Sequence, residues 1–235
     1  MGHMISKRAD GKDAMAYVGA TPWHGLGQSL TQGASIGVWK KEAGLDWEAR
    51  EGVPQVLVPK NGIGTPIPFS NHKALYRSDT WEPLAIVGAD YKVVQPGEVL
   101  EFFRKLVEVE GWWIHTAGCL FGGRKVWAMA TRGGKAGVDR AGKDMIHQNI
   151  LLATSLDGSM KTVACETAVR AVCWNTVNMA LTGADASGRL IKISHRQEFD
   201  HAEVHAALGL HLDRFGSFME EARQLADTPV KLDEA

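Results

Sequence analysis

Trp112-Trp113-Ile114-His115-Thr116-Ala117-Gly118-Cys119-Leu120-Phe121, then Gly122-Gly123, then Arg124-Lys125-Val126-Trp127-Ala128-Met129-Ala130-Thr131, reads as two strands joined by a tight turn. Val126, Ala128 and Ala130 alternate with Trp127, Met129 and Thr131, so both faces of the second strand carry groups that favour burial. Downstream, Ile146–Ser155 and Met160–Ala164 flank Asp157-Gly158, a second hairpin signal. Together they predict an antiparallel meander of about four strands, with Gly133 to Gly142 as a glycine- and lysine-rich loop in its middle.

Working outward, Gly19, Pro22, Gly25 and Gly27 break any helix in the first 33 residues, while Tyr17, Trp23 and Leu26 give that segment anchors. Residues 5–33 are therefore read as an extended arm docked on a core, and Met1-Gly2-His3-Met4 as a cloning scar. Ser35 caps a short helix over Ala34–Gly44, and Val53–Val58 has strand composition. Lys60 to Pro68 reads as a turn-rich loop, and Lys73–Arg77 with Leu84–Val87 as a hairpin. Pro96 opens a helix that runs to Gly111 with Val99, Leu100, Phe103, Leu106 and Val107 on one stripe. Glu166–Leu181 has helical spacing and reads as a mostly buried helix. Residues 34–198 form the expected α+β core. Residues 199–235 are expected to form an amphipathic C-terminal helix, whose last residues resemble the beginning of another helix. The fold class is α+β: an antiparallel sheet, the meander plus shorter N-terminal strands, with helices packed on one face.

The 235 residues are 45% hydrophobic and 23% charged, ample for a core, with a net charge of −1 that excludes a protein coating duplex DNA by bulk charge. No run of about 18 apolar residues is present to cross a membrane, and the start lacks the apolar core of a signal peptide. The expected location is the cytoplasm of a bacterial host cell. Cys119, Cys165 and Cys173 lack CxxC spacing and read as reduced, buried thiols.

Charge is uneven. Residues 121–200 carry 11 basic and 7 acidic side chains, densest at Arg124, Lys125, Arg132, Lys135, Arg140 and Lys143. Such a cluster attracts phosphates, Gly133-Gly134 lets the backbone approach them, and Trp112, Trp113, Trp127 and Trp174 offer surfaces for stacking unpaired bases. The loop Pro22-Trp23-His24-Gly25-Leu26-Gly27 is distinctive, but it is not the GxGxxG of a dinucleotide site. His201 and His205 stand one helical turn apart in HAEVH, which lacks the HExxH order of a zinc protease. No nucleophile elbow, P-loop or kinase set is present, so the sequence assigns no catalytic residue, metal or cofactor.

Five segments carry a family resemblance: Ala16–Gly19 with Pro22–Gly27, Gly44-Leu45-Asp46-Trp47-Glu48, Tyr91–Pro96, Thr154–Ser159 and Val169–Thr176. In their order and spacing the chain resembles the phage/plasmid-related family called domain of unknown function 932. The resemblance implies a mobile-element setting and a cytoplasmic protein, and no particular activity. It singles out His24, Arg170 and Asn175 as polar residues inside apolar motifs. Arg170, on the expected buried helix, needs a partner, and Glu166 four residues before it is the nearest.

The expectation that follows is a non-enzymatic, homo-oligomeric protein that binds single-stranded DNA, and promotes annealing or recombination, through Arg124, Lys125, Arg132, Lys135, Arg140, Lys143 and Arg170. One alternative is a counter-defence protein that binds a host restriction or immunity protein. The other is a metal-dependent hydrolase or nuclease using His24 or the paired helix histidines.

Overall fold

The structure, a computed structural model, describes residues 3–60, 63–109, 111–137, 145–209 and 224. In chain order the strands begin with β1 (Met15–Val18) and β2 (Gln28–Leu30), followed by helix α1 (Ile36–Glu42). β3 (Ala49–Gly52), β4 (Gln55–Lys60), β5 (Ile63–Pro68), β6 (His72–Arg77) and β7 (Pro83–Gly88) come next. Helices α2 (Pro96–Glu101) and α3 (Arg104–Val109) lead into β8 (Trp112–Leu120), β9 (Lys125–Gly137), β10 (Met145–Ser155) and β11 (Thr162–Thr167). The chain continues through α4 (Trp174–Ala186) and β12 (Ile191–Ile193), and residues 201–209 are helical.

Seven strands make one sheet in the order β12-β11-β10-β9-β8-β1-β2. The meander is its centre, with β8, β9, β10 and β11 antiparallel to one another as the hairpin signals require. A three-stranded sheet, β3-β6-β7, and the two-stranded hairpin β4-β5 complete the β structure among the described residues. The stretch Lys60 to Pro68, expected as a loop, is instead largely an arm of that hairpin, Ile63–Pro68 pairing residue for residue with Gln55–Lys60.

Period-2 alternation on β9 sets up two cores. Val126, Ala128 and Ala130 join Trp39, Val99, Leu100 and Leu106 on one side, while Trp127 and Met129 join Val177, Ala180, Leu181 and Ala184 on the other. The helices therefore divide between the faces, α1–α3 on one and α4 on the other, rather than packing on one face as expected. A central strand apolar on both sides needs cover on both.

Helix boundaries follow local chemistry. Ser35 Oγ accepts the Val38 N–H at the start of α1. At α2 the Glu98 carboxylate accepts the Gln95 N–H, with Pro96 at the first position. The expected helix from Pro96 to Gly111 is divided in two, and the linking Phe102 and Phe103 are fully buried. The helix expected over Glu166–Leu181 begins only at Trp174, because Glu166 and Thr167 are held in β11 opposite Ile150 and Asn149. The Thr176 hydroxyl then accepts the N–H groups of Val172 and Cys173 at 2.8 and 3.0 Å and fixes where α4 starts.

β1, inside the segment expected to be an arm, lies between β8 and β2 and is buried along its length. It runs antiparallel to β8 and parallel to β2. A parallel neighbour requires the chain to travel back before pairing. Residues 19–27 make that return, and they carry the Pro22–Gly27 loop to the segment before α4.

Candidate functional site

The basic cluster does not gather at one point. Lys125 opens β9 and Arg132 lies seven residues along it, about 23 Å away at the usual strand rise of about 3.3 Å per residue. Lys125 is committed locally. Its ammonium donates to Ser159 Oγ, stands 3.8 Å from the Asp157 carboxylate and lies over the Phe121 and Trp174 rings at 5.6 and 5.4 Å. Arg124, at the end of the Phe121–Gly123 turn, is exposed beside it.

Arg132 is exposed and marks where the sheet ends. It pairs with Trp112, the first residue of β8, and with Gln148 of β10. On the far side of β10, pairing with β11 stops at Asn149–Thr167. Beyond these points, among the described residues, β9 and β10 pair only with each other, through Ala136–Ile146 and Gly137–Met145. Between Arg132 and Ala136 the register slips, so Gly133, Gly134 and Lys135 occupy an irregular step of the ladder. A two-stranded ribbon thus leaves the sheet with Arg132 at its root and Lys135 along it. Arg140 and Lys143 lie outside the described residues. Of the tryptophans expected to stack on bases, Trp112 and Trp127 are core residues at 3% and 0% exposure, and Trp113 and Trp174 are half-buried. The open indoles are Trp23, expected as an anchor of the arm yet 71% exposed, and Trp81.

The residues singled out by the resemblance converge elsewhere. Leu26 N–H donates to His24 Nδ1 at 3.1 Å, which places the ring proton on Nε2, where it donates to the Val172 carbonyl at 3.2 Å. Burial pushes the His24 imidazole below its ordinary value of 6.5; the Val172 hydrogen bond opposes this and the neighbouring His3 adds to it. Arg170 Nη2 donates to the Val18 carbonyl at 3.0 Å, and its Nε is buried with no partner. Desolvation lowers the Arg170 guanidinium, and Glu166 does not relieve it. With Glu166 on β11 rather than on a shared helix, its Oε1 accepts from Gln148 Nε2 at 3.0 Å instead. Asn175 is exposed on the first turn of α4.

His3 joins this corner. Its ring lies 4.6 Å from both the His24 and Trp23 rings, and its carbonyl accepts the Trp174 N–H at 3.3 Å. The next residue is also held, the Met4 carbonyl accepting the Phe121 N–H at 2.9 Å. Of the four residues read as a scar, His3 and Met4 make these contacts with the fold, and Met1 and Gly2 lie outside the described residues. One ligand atom each from His3, His24 and Cys173 lie within 4.8 Å of one another. No short spacing in the sequence signals this group, because its members come from three separate segments. The paired helix histidines do not form such a group: His205 Nε2 donates to the Phe102 carbonyl at 2.8 Å, and His201 packs edge-on against Phe102 and Phe199.

An antiparallel-rich sheet with apolar residues packed on both of its faces makes this a mixed α/β protein. Residues 83–235 match the family model described as a domain of unknown function (DUF932), and the chain belongs to that family. No curated protein and no solved structure matches it. Among the described residues, no helix is long and apolar enough to cross a membrane.

Proposed function

We propose that this chain is a DNA-transaction protein of a mobile element, phage or plasmid, that binds single-stranded DNA and acts without catalysing a reaction. The observation that carries this reading is the β9–β10 ribbon, whose backbone leaves the sheet beyond Arg132 and carries Lys135. Two-stranded ribbons are established nucleic-acid readers, and separation from the body lets one lie along a phosphate backbone. Arg132 and Lys135, with Arg140 and Lys143, are the phosphate contacts in this reading. Lys125 is not one of them, since Asp157 and Ser159 already hold it. Annealing or recombination, and assembly of several copies along a strand, follow if occupancy is cooperative.

The test is anisotropy of a labelled single-stranded oligonucleotide across a salt series. The parent should bind at low salt, and Arg132→Glu with Lys135→Glu should weaken binding. Absence of binding by the parent would overturn the reading. The alternative, capture of a host restriction or immunity protein, is favoured by the β4–β5 hairpin, where Leu57 and Ile67 are 69% and 48% exposed. It predicts that Leu57→Asp abolishes capture of such a protein while no oligonucleotide is retained.

A further inference from the structure

We propose that His3, His24 and Cys173 form a binding site for a borderline-soft divalent cation, with Zn2+ as the natural occupant. Two imidazoles and a thiolate are a zinc donor set, and a fourth, open position is left for water or a substrate atom. In a tetrahedral site with metal–nitrogen distances of about 2.0–2.1 Å and a metal–sulfur distance of about 2.3 Å, ligand atoms stand roughly 3.3–3.6 Å apart. The 4.8 Å envelope of the three donors needs a closure of roughly 1.2–1.5 Å to reach that geometry.

Three independent features point the donors at a ligand. His3 Nδ1 is buried and has no hydrogen-bond partner, a cost that a metal bond would remove. The His24 Nε2–H···O=C bond to Val172 is the outer contact that orients metal-bound histidines, and ligation through Nδ1 would keep it at the expense of the Leu26 N–H. Cys173, fully buried, stands at the N-cap of the 13-residue α4, so the backbone at that helix start fixes its Sγ beside the two imidazoles. On ligation the thiol proton leaves to solvent and the sulfur lone pair forms the metal bond. Trp23, 71% exposed and 4.6 Å from the His3 ring, flanks the group from the solvent side.

The occupied site would tie the first residues, the loop between β1 and β2, and the start of α4 to a single ion. Those segments are far apart in sequence, so the ion would act as a cross-link between them.

The full chain is equilibrated with Zn2+ and, separately, with Co2+, then freed of excess metal. The expected result is one ion bound per chain, with Co2+ giving visible bands of tetrahedral intensity and a thiolate-to-metal charge-transfer band. Cys173→Ser should remove the charge-transfer band. His3→Ala, at a half-buried position, should leave the circular dichroism unchanged and weaken binding by more than about 100-fold, beyond the range for loss of an outer contact. The proposal is overturned if the parent retains no metal, or if His3→Ala and Cys173→Ser bind as tightly as the parent. Neither outcome depends on oligonucleotide binding.

Discussion

Gly118 and Trp127 face each other across the β8–β9 ladder, and the indole lies over the glycine where any other residue would place a side chain. A Cβ at 118 would meet the Trp127 ring and approach the Ala14 carbonyl to 2.7 Å. The ring is fully buried, and its Nε1 donates to the Ala171 carbonyl at 3.3 Å, so it has little freedom to move. Gly118→Ala should therefore destabilise the protein by about 1–3 kcal/mol, the usual cost of overpacking a core. Urea unfolding checks this, and an unchanged midpoint would contradict it.

Arg77 is 1% exposed, lies 4.3 Å from the centre of the Trp47 ring, and meets the Asp79 carboxylate twice, at 2.9 and 2.7 Å. Burial pushes the Asp79 carboxyl up, but the hydrogen bonds and charge of Arg77 outweigh it and hold the carboxyl below its ordinary 3.8. A depressed carboxylate stabilises the fold above its unfolded value, and that gain is lost as pH falls through the folded one. Asp79→Asn should cost about 3 kcal/mol near neutrality, the low end for breaking a buried pair because the Asp79 side chain keeps 26% exposure. The variant should also unfold less steeply on acidification below pH 3.8, read by circular dichroism.

Glu166 carries the opposite sign. It is 2% exposed, its Oε2 has no partner, and burial raises its carboxyl above 4.5 against the opposing Gln148 hydrogen bond and Arg189 charge. The folded state then holds a proton that the unfolded chain releases, so stability falls as pH rises from 4.5 through the raised folded value. Glu166→Gln should flatten that decline and raise stability at neutral pH, because the amide carries no charge to desolvate. Urea midpoints at a series of pH values give the comparison. Parallel curves for parent and variant would show that the carboxylate is not strained.

For the ribbon, the salt series separates contacts that touch phosphate from those that do not. Losing two phosphate contacts on a single strand should reduce the slope of log K against log salt by about 1.4. Arg132→Glu with Lys135→Glu should show that change, whereas Lys125→Met should leave the slope as it is and lower stability through the lost Asp157 and Ser159 contacts. A slope that responds to Lys125 and ignores Arg132 would place the interface at the other end of β9.

The meander was legible because its signals are local. Gly122-Gly123, Asp157-Gly158 and the alternation from Val126 to Thr131 each lie within a few residues. Glu166–Leu181 misled because its apolar spacing suits a helix, while strand pairing with Asn149 and Ile150, invisible locally, holds its first residues extended. The charge run of Arg124 to Lys143 looked like one patch because sequence proximity hides how far a strand carries its residues. Cys173 showed no metal partner for the converse reason: His3 and His24 reach it only through the return of the chain between β1 and β2.

The placement of β1 has a consequence for biosynthesis. A ribosome releases Met15–Val18 early, yet the strand's antiparallel partner residues are Thr116–Gly118 and β2 offers it only three parallel residues. Until the later segment clears the exit tunnel, an apolar strand has no stable neighbour on either edge. Such a nascent chain must be shielded from association in the interval, and the rate of translation through the first half sets how long that exposure lasts.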